Sequence, residues 1–295
     1  MTTIGFIGLG AMGLPMARNL VQRQFQVRGF DLKRESVDAL ADFGGTAGAS
    51  AAETARDVDV LILMVVNIAQ AETALFTGGA LEAMRPGGIV VLMATCPPAA
   101  VAALGERVSQ AGCALIDAPV SGGVVGATNG TLTIMAAAPK PIFERAKPVL
   151  SALGDKLFHV GEKVGQGATV KTVNQLLCGV HIASCAEALA LAQRAGIDGQ
   201  VALDILGGSA ASSWMLRDRG PRMLEDDPVV TSAVDIFVKD LGIVLDAGRS
   251  AKVPTPLAAL AHQLFLSASA KGLGAKDDSQ VVQIYRGLAG IGGAD

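Results

Sequence analysis

Lys171 stands in "GATVKTVNQLL" (167–177), where Val170, Val173, Leu176 and Leu177 recur at helical spacing. Residues three and four apart share one helix face. Lys171 is therefore predicted to lie beside Asn174, Gln175, Cys178 and Ile182. Lysine is almost never fully buried without a partner or a task. Gly165 and Gly167, just upstream, allow close approach of the backbone. A lysine whose pKa is lowered by burial and by a neighbouring positive charge comes into the range of a general base. The two amides are suited to orienting hydroxyl groups. The plain alternative is a surface lysine snorkelling at a helix start.

A second group of residues points to what such a base would serve. "TIGFIGLGAMGLPMARNL" (3–20) carries Gly8-x-Gly10-x-x-Gly13 after a strand-like run and at the opening of a helix. In that context the first glycine permits a tight turn, the second lets backbone approach a pyrophosphate, and the third lets helix pack on strand. Gly8, Leu9, Gly10, Ala11, Met12 and Gly13 are thus predicted to cradle a dinucleotide through backbone amides and a helix N-terminus. Asp31 follows Gly13 by 18 residues, at the end of the next strand. An acid there binds adenosine ribose hydroxyls and repels a 2′-phosphate, so NAD is expected over NADP. Arg34 nearby could offset that repulsion. Val65, Val66 and Asn67 end a third strand and Thr95 ends a fourth, and the carboxyl ends of strands form the ligand crevice of an open α/β sheet. Asn67 and Thr95 read equally as cap or turn residues.

"DAPVSGG" (117–123) supplies Ser121, Gly122 and Gly123, a hydroxyl and two amides free of side chains, which can wrap a small carboxylate or act as an ordinary turn. "FVKDLG" (237–242) places Lys239 and Asp240 among Phe237, Val238, Leu241 and Ile243, either as a solvated stripe or with Lys239 facing a ligand and Asp240 steadying the helix.

These residues need two kinds of scaffold. Strand patterns at 3–7, 25–30, 58–66, 87–94, 114–119 and 131–137 alternate with helical stretches, implying βαβ units and a mostly parallel, doubly wound sheet. From about residue 165 the pattern is helical, over 168–195, 199–207, 212–224, 235–251 and 256–270, broken by Gly and Pro. The fold class is α/β, a Rossmann-type domain over 1–163 followed by an all-α domain over 164–295. "GEKVGQG" (161–167) forms the boundary.

Composition narrows the partners. The 295 residues carry a formal charge of -3, with no run of like charge and only 4% aromatic residues, which argues against nucleic acid and anionic membrane. Four unpaired-looking cysteines and three scattered histidines give neither a disulfide framework nor a metal motif. No signal peptide is expected, and the longest apolar run, 60–66, falls far short of the ~20 residues of a membrane span. A cytoplasmic protein is expected. The lysine helix is apolar on more than one face, so a homodimer or homotetramer through the helical half is predicted.

Four motifs in order, "GFIGLGAMGLPMARNL", "DAPVSGG", "GQGATVKTVNQ" and "FVKDLG", resemble the β-hydroxyacid (3-hydroxyisobutyrate) dehydrogenase family over nearly the whole chain. The resemblance implies a Rossmann domain joined by a long helix to a helical domain. It implies NAD-dependent oxidation of a small hydroxy acid, with Lys171 as acid/base and the carboxylate at Ser121, Gly122 and Gly123. It also implies Lys239 beside cofactor and substrate, and Thr95 at the cofactor. "QLLCGVHIASCAEALALAQRAGI", "SSWMLRDR" and "KDDSQVVQIY" are most similar to the branch that oxidises L-threonate, with 3-hydroxyisobutyrate or tartronate semialdehyde as alternatives. The chain departs from many relatives in Val65-Val66-Asn67, where Leu-Pro-Asn is common, and in Gln175, where Asn is common. Non-catalytic relatives that bind protein partners lose the lysine, and imine reductases typically replace it. Lys171 is present here.

Overall fold

The computed structural model describes residues 2–291 and divides into two compact units between Lys171 and Thr172. The first unit holds, among the described residues, strands β1 (Thr3–Ile7), β2 (Gln26–Phe30), β3 (Thr46–Ala47), β4 (Val60–Leu63), β5 (Ile89–Leu92), β6 (Ala114–Asp117), β7 (Val120–Ser121), β8 (Thr133–Ala137) and β9 (Lys156–Gly161). Helices α1 (Gly13–Gln22), α2 (Arg34–Asp42), α3 (Ala51–Ala55), α4 (Ile68–Glu72), α5 (Ala80–Ala83), α6 (Pro98–Gln110), α7 (Gly123–Asn129) and α8 (Lys140–Leu150) connect them. The sheet runs β3-β2-β1-β4-β5-β6-β8-β7, with β9 on β8. Pairing is parallel from β3 to β6, while β8 runs antiparallel to β6 and β7.

The sequence explains why both faces are covered. Alternate residues Ile4, Phe6, Val60, Ile62, Ile89 and Val91 enter one core. Their neighbours Ile7, Leu61, Leu63, Val90 and Leu92 enter another. Strands buried on both sides read as unbroken apolar runs rather than as alternation. The direction of strand order reverses between β1 and β4, which pair from Ile4↔Val60 to Ile7↔Leu63. Their carboxyl ends therefore emerge side by side, the position where open α/β sheets bind ligands. The predicted strands are all present, the first with the same bounds and the other five shortened at one or both ends. Three further strands are added: β3 and β7 are two residues long, and β9 leaves Phe158 54% exposed. None of the three has an apolar stripe to reveal it.

The second unit contains most of α9 (Gln166–Arg194), whose first residues belong to the first unit, then α10 (Gly199–Gly208), α11 (Trp214–Met223), α12 (Val234–Ala251), α13 (Pro256–Ala268) and α14 (Val282–Leu288). A 3₁₀ turn, Asp278–Val281, precedes α14. α9 is long and apolar enough to cross a membrane by length and composition alone. Its Ile182, Cys185, Ala186 and Leu189 instead pack with Phe237, Leu241, Val244 and Phe265 in the core of this unit. The rings of Phe237 and Phe265 stack at 5.1 Å. α9 and α12 cross closely at Gly179, where a Cβ would stand 2.7 Å from a Leu241 methyl.

A buried ion network ties α11 to the 3₁₀ turn. Arg219 Nε and Nη2 donate to the two oxygens of Asp278 at 2.9 and 3.0 Å, and Arg222 Nη1 donates to Asp277 Oδ2 at 2.8 Å. Asp218 receives both guanidinium groups. The stretches "SSWMLRDR" and "KDDSQVVQIY" are the two halves of this network. Asp278 is fully buried, so Arg219→Ala should leave a buried acid without its cation and lower unfolding free energy by about 3–5 kcal/mol in urea denaturation. A loss below about 1 kcal/mol would show that the network is incidental.

Candidate active site

The loop after β1 turns on two glycines, Gly8 and Gly13, that leave no room for a side chain. Gly8 has φ +95°, and a Cβ there would stand 2.3 Å from the Met64 carbonyl oxygen at the end of β4. A Cβ on Gly13 would stand 1.8 Å from the Gly8 carbonyl oxygen, so α1 starts directly against the turn. Gly10 differs: a Cβ there meets nothing within 4 Å, so its backbone borders open space. α1 has no acidic residue in its first turn, and Met16, Ala17 and Leu20 anchor it in the core. With no competing carboxylate there, the positive end of the helix dipole makes this N-terminus a suitable anion seat.

Asp31, just beyond β2, binds this loop from the side. Its Oδ2 accepts the Leu9 amide at 2.7 Å and its Oδ1 accepts the Lys33 amide at 2.8 Å. Arg34 Nε is paired with Asp38 at 3.0 Å on the exposed face of α2. Two glycines against backbone, one beside open space, a helix N-terminus without acid and a carboxylate at the next strand end together fit a dinucleotide.

The neighbouring strand ends complete this rim. Val65 and Val66 follow β4, with Val66 exposed. Asn67 caps α4, its Oδ1 accepting the Gln70 amide, while Gln70 Oε1 accepts the Val66 amide, each at 2.9 Å. Thr95 lies partly buried between β5 and α6.

The end of β6 organises the lysine. Asp117 is 1% exposed, and its Oδ2 accepts the amides of Gly165 at 3.0 Å and Ala168 at 2.8 Å, at the start of α9. Burial pushes its carboxyl up to about 6, although the Ala168, Gly165 and Gly167 amides pull the other way. Lys171 follows in the second turn and is 7% exposed, so the snorkelling alternative does not describe it. Four residues after Asp117, Ser121 ends β7, and Gly122 (φ +127°) and Gly123 (φ +60°) turn into α7. A Cβ on Gly123 would meet nothing within 4 Å, so this backbone too borders open space.

The second unit gathers the remaining polar residues. Gln175 is buried, donates from Nε2 to Asp240 Oδ2 at 2.5 Å and accepts from Asn174 Nδ2 at 2.9 Å. Asn174 Nδ2 also reaches Cys178 Sγ at 3.3 Å. Lys239 Nζ lies 2.8 Å from Asp240 Oδ1, close enough for an ion pair but without hydrogen-bond alignment. The Gln175 amide thus bridges Asn174 and Asp240. Asp117 is a residue that the motifs contained without announcing. The one signal for Asp117 is a carboxylate closing the apolar run "ALID".

Comparison with known proteins agrees with this geometry. Residues 3–161 match the family model described as the NAD-binding domain of 6-phosphogluconate dehydrogenase. Residues 165–285 match the NAD-binding model of NADP-dependent 3-hydroxyisobutyrate dehydrogenase. An L-threonate dehydrogenase of Cupriavidus necator is 46% identical over 97% of this chain and 96% of its own. The chain belongs to the β-hydroxyacid dehydrogenase family.

Other members of that family are similar along their full length. An L-threonate dehydrogenase of Escherichia coli K12 is 41% identical over 97% of this chain and 95% of its own. A crystal structure titled 3-hydroxyisobutyrate dehydrogenase, from Salmonella typhimurium, has a TM-score of 0.92 at 41% identity, covering 96% of this chain and all of that one. This β-hydroxyacid dehydrogenase is thus an NAD-dependent oxidoreductase of CH–OH groups.

The buried Asp117 makes a testable mark on stability. Its folded pKa is raised, so the folded state holds the proton more tightly than the unfolded chain. The benefit is complete below the ordinary carboxylate pKa and is lost as pH rises through about 6. The unfolding free energy of wild type minus that of Asp117→Asn should fall by about 3 kcal/mol from pH 3.5 to pH 7. A flat or rising difference would contradict the buried, proton-retaining carboxyl.

Proposed function

We propose that this dehydrogenase oxidises L-threonate at its C2 hydroxyl to the 2-oxo acid, using NAD, with Lys171 as the proton acceptor. The observation that carries this reading is Lys171 itself, a buried lysine in the unit that holds the glycine cradle, on a helix fastened to a strand's carboxyl end. The Ser121 hydroxyl and the Gly122 and Gly123 amides bind the substrate carboxylate. Lys171 Nζ takes the C2 hydroxyl proton as the carbonyl forms, and returns it in the reverse direction. Bound NAD supplies the acceptor for the hydride leaving C2. The Gly8–Gly13 loop and the start of α1 hold the pyrophosphate, with Val65, Val66, Asn67 and Thr95 along the nicotinamide half. Asp31 takes the adenosine ribose hydroxyls and repels a 2′-phosphate, and Arg34, engaged with Asp38, does little to offset that repulsion. Asn174 orients substrate hydroxyls. Lys239 adds a cation for substrate and cofactor. Gln175 supports Asn174 and the Lys239–Asp240 pair.

Similar relatives carry names that point to more than one substrate, L-threonate and 3-hydroxyisobutyrate among them, so the substrate is argued from chemistry. Ser121, Lys171, Asn174 and Lys239 all form hydrogen bonds, and a hydroxyl-rich acid satisfies them. A methyl-bearing acid offers them fewer hydrogen-bond partners.

The chain is further proposed to act in the cytoplasm as a homodimer or homotetramer through its helical half. Its cysteines are free thiols, as in a reducing compartment. Val173, Leu177 and Leu191 on α9, Val201 and Ile205 on α10, and Leu257 and Leu260 on α13 are at least 50% exposed, which favours a subunit contact.

Initial rates with both acids and both cofactors test the reading. L-threonate with NAD should exceed 3-hydroxyisobutyrate with NAD by about ten-thousandfold in kcat/KM, as in sites built around a substrate hydroxyl. It should also exceed L-threonate with NADP. Equal efficiency for the two acids would overturn the substrate, and equal efficiency with NAD and NADP would overturn the role given to Asp31.

A further inference from the structure

The proposed chemistry makes no direct use of Asp117, yet it is among the most deeply buried carboxylates of the first unit. Its surroundings are unusual for a helix start. Gly165 caps α9 through its carbonyl, which accepts the Thr169 amide at 3.0 Å. A serine or threonine at that position would satisfy the amide three residues on, and a glutamate there would return the bond. Glycine has no side chain with which to do so. Asp117, closing β6, takes both amides on one oxygen, from 48 and 51 residues away. The start of α9 is thus fastened to the sheet instead of being capped by itself.

Gly167 fixes the fit from the other side. A Cβ there would stand 2.5 Å from the carbonyl oxygens of both Asp117 and Met135, so the helix lies against the end of β6 and the middle of β8. Lys171 comes three residues after Ala168, one turn along the same face. The contacts that set the height and rotation of Ala168 therefore set the direction in which Lys171 leaves the helix.

We propose that Asp117 is the positioning residue of Lys171, a carboxylate that clamps the first turn of α9 to β6 and so aims the proton acceptor. This rests on the reading of Lys171 given above. The clamp has a stability cost. Burial raises the Asp117 carboxyl, and its Oδ1 has no hydrogen-bond partner among the described residues. A self-capped helix would avoid that cost, and such violations of local preference gather at functional positions.

A double-mutant cycle tests the clamp, with Asp117→Ala and Lys171→Ala made singly and together. Four readouts accompany it: kcat on L-threonate, NAD affinity by fluorescence titration, thermal unfolding, and amide hydrogen exchange of the protein alone. Asp117→Ala should lower kcat by roughly tenfold to a hundredfold, since a misplacement of about 1 Å costs on that order. NAD affinity should hold. Exchange should quicken over 165–171 and not over 182–194. Asp117→Asn, which keeps an acceptor oxygen, should recover much of kcat. In the Lys171→Ala background, Asp117→Ala should change kcat by less than about twofold, because the residue it aims is gone. An equal loss in both backgrounds, or an unchanged kcat despite faster exchange, would overturn the proposal. Should Asp117→Ala not fold, Asp117→Asn carries the same cycle, with a smaller loss that must again vanish without Lys171. Full activity in Lys171→Ala alone would instead reject the lysine as proton acceptor. The exchange data would still report whether Asp117 fastens the helix.

Discussion

At the carboxyl end of β6 one buried carboxylate holds the amides of Gly165 and Ala168, and the lysine of the site stands one turn further along. Gly167 lets the helix lie close against the carbonyls of Asp117 in β6 and Met135 in β8. The same kind of constraint recurs at Gly8 and Gly13, where any Cβ would strike backbone oxygen. Close backbone approach at strand ends therefore places both the anion seat and the lysine, and the parallel register of β1, β4, β5 and β6 brings them to one edge of one sheet. A shift of any of these strands by one residue would move its side chains to the opposite face and displace both.

The second unit works by different physics. Its polar residues are placed by side-chain networks between helices. Gln175 joins α9 to α12 through Asp240, beside the Lys239 ion pair, and Arg219 joins α11 to the turn at Asp278. Partly satisfied networks of this kind are costly, whereas complete ones fix a unique packing. Gln175 in place of the shorter Asn spans to Asp240 with both ends of its amide engaged.

What the sequence revealed follows the range of each interaction. The glycine cradle was legible because its spacing is a local backbone requirement. Lys171 was legible because a cation interrupts a helical apolar pattern. Both strand and helix patterns fell within a few residues of the observed elements. The partners of Asp117 lie 48 and 51 residues away, those of Gln175 and Arg219 lie 65 and 59 residues away, and no local pattern announces such pairs. β3 and β7 are too short, and β9 too exposed, to carry a period. Asn67 read evenly as cap or ligand, and the structure shows its carbonyl oxygen serving α4.

Lys171 is proposed to move the proton, while the dinucleotide is held by other residues, chiefly the glycine cradle and the strand ends beside it. The most direct measurement is kcat of Lys171→Ala on L-threonate, with NAD affinity determined by titration on the same protein. The account predicts a fall of roughly a hundredfold to ten-thousandfold in kcat with NAD affinity unchanged. An unchanged kcat, or a loss of NAD binding large enough to explain the lost rate, would contradict it.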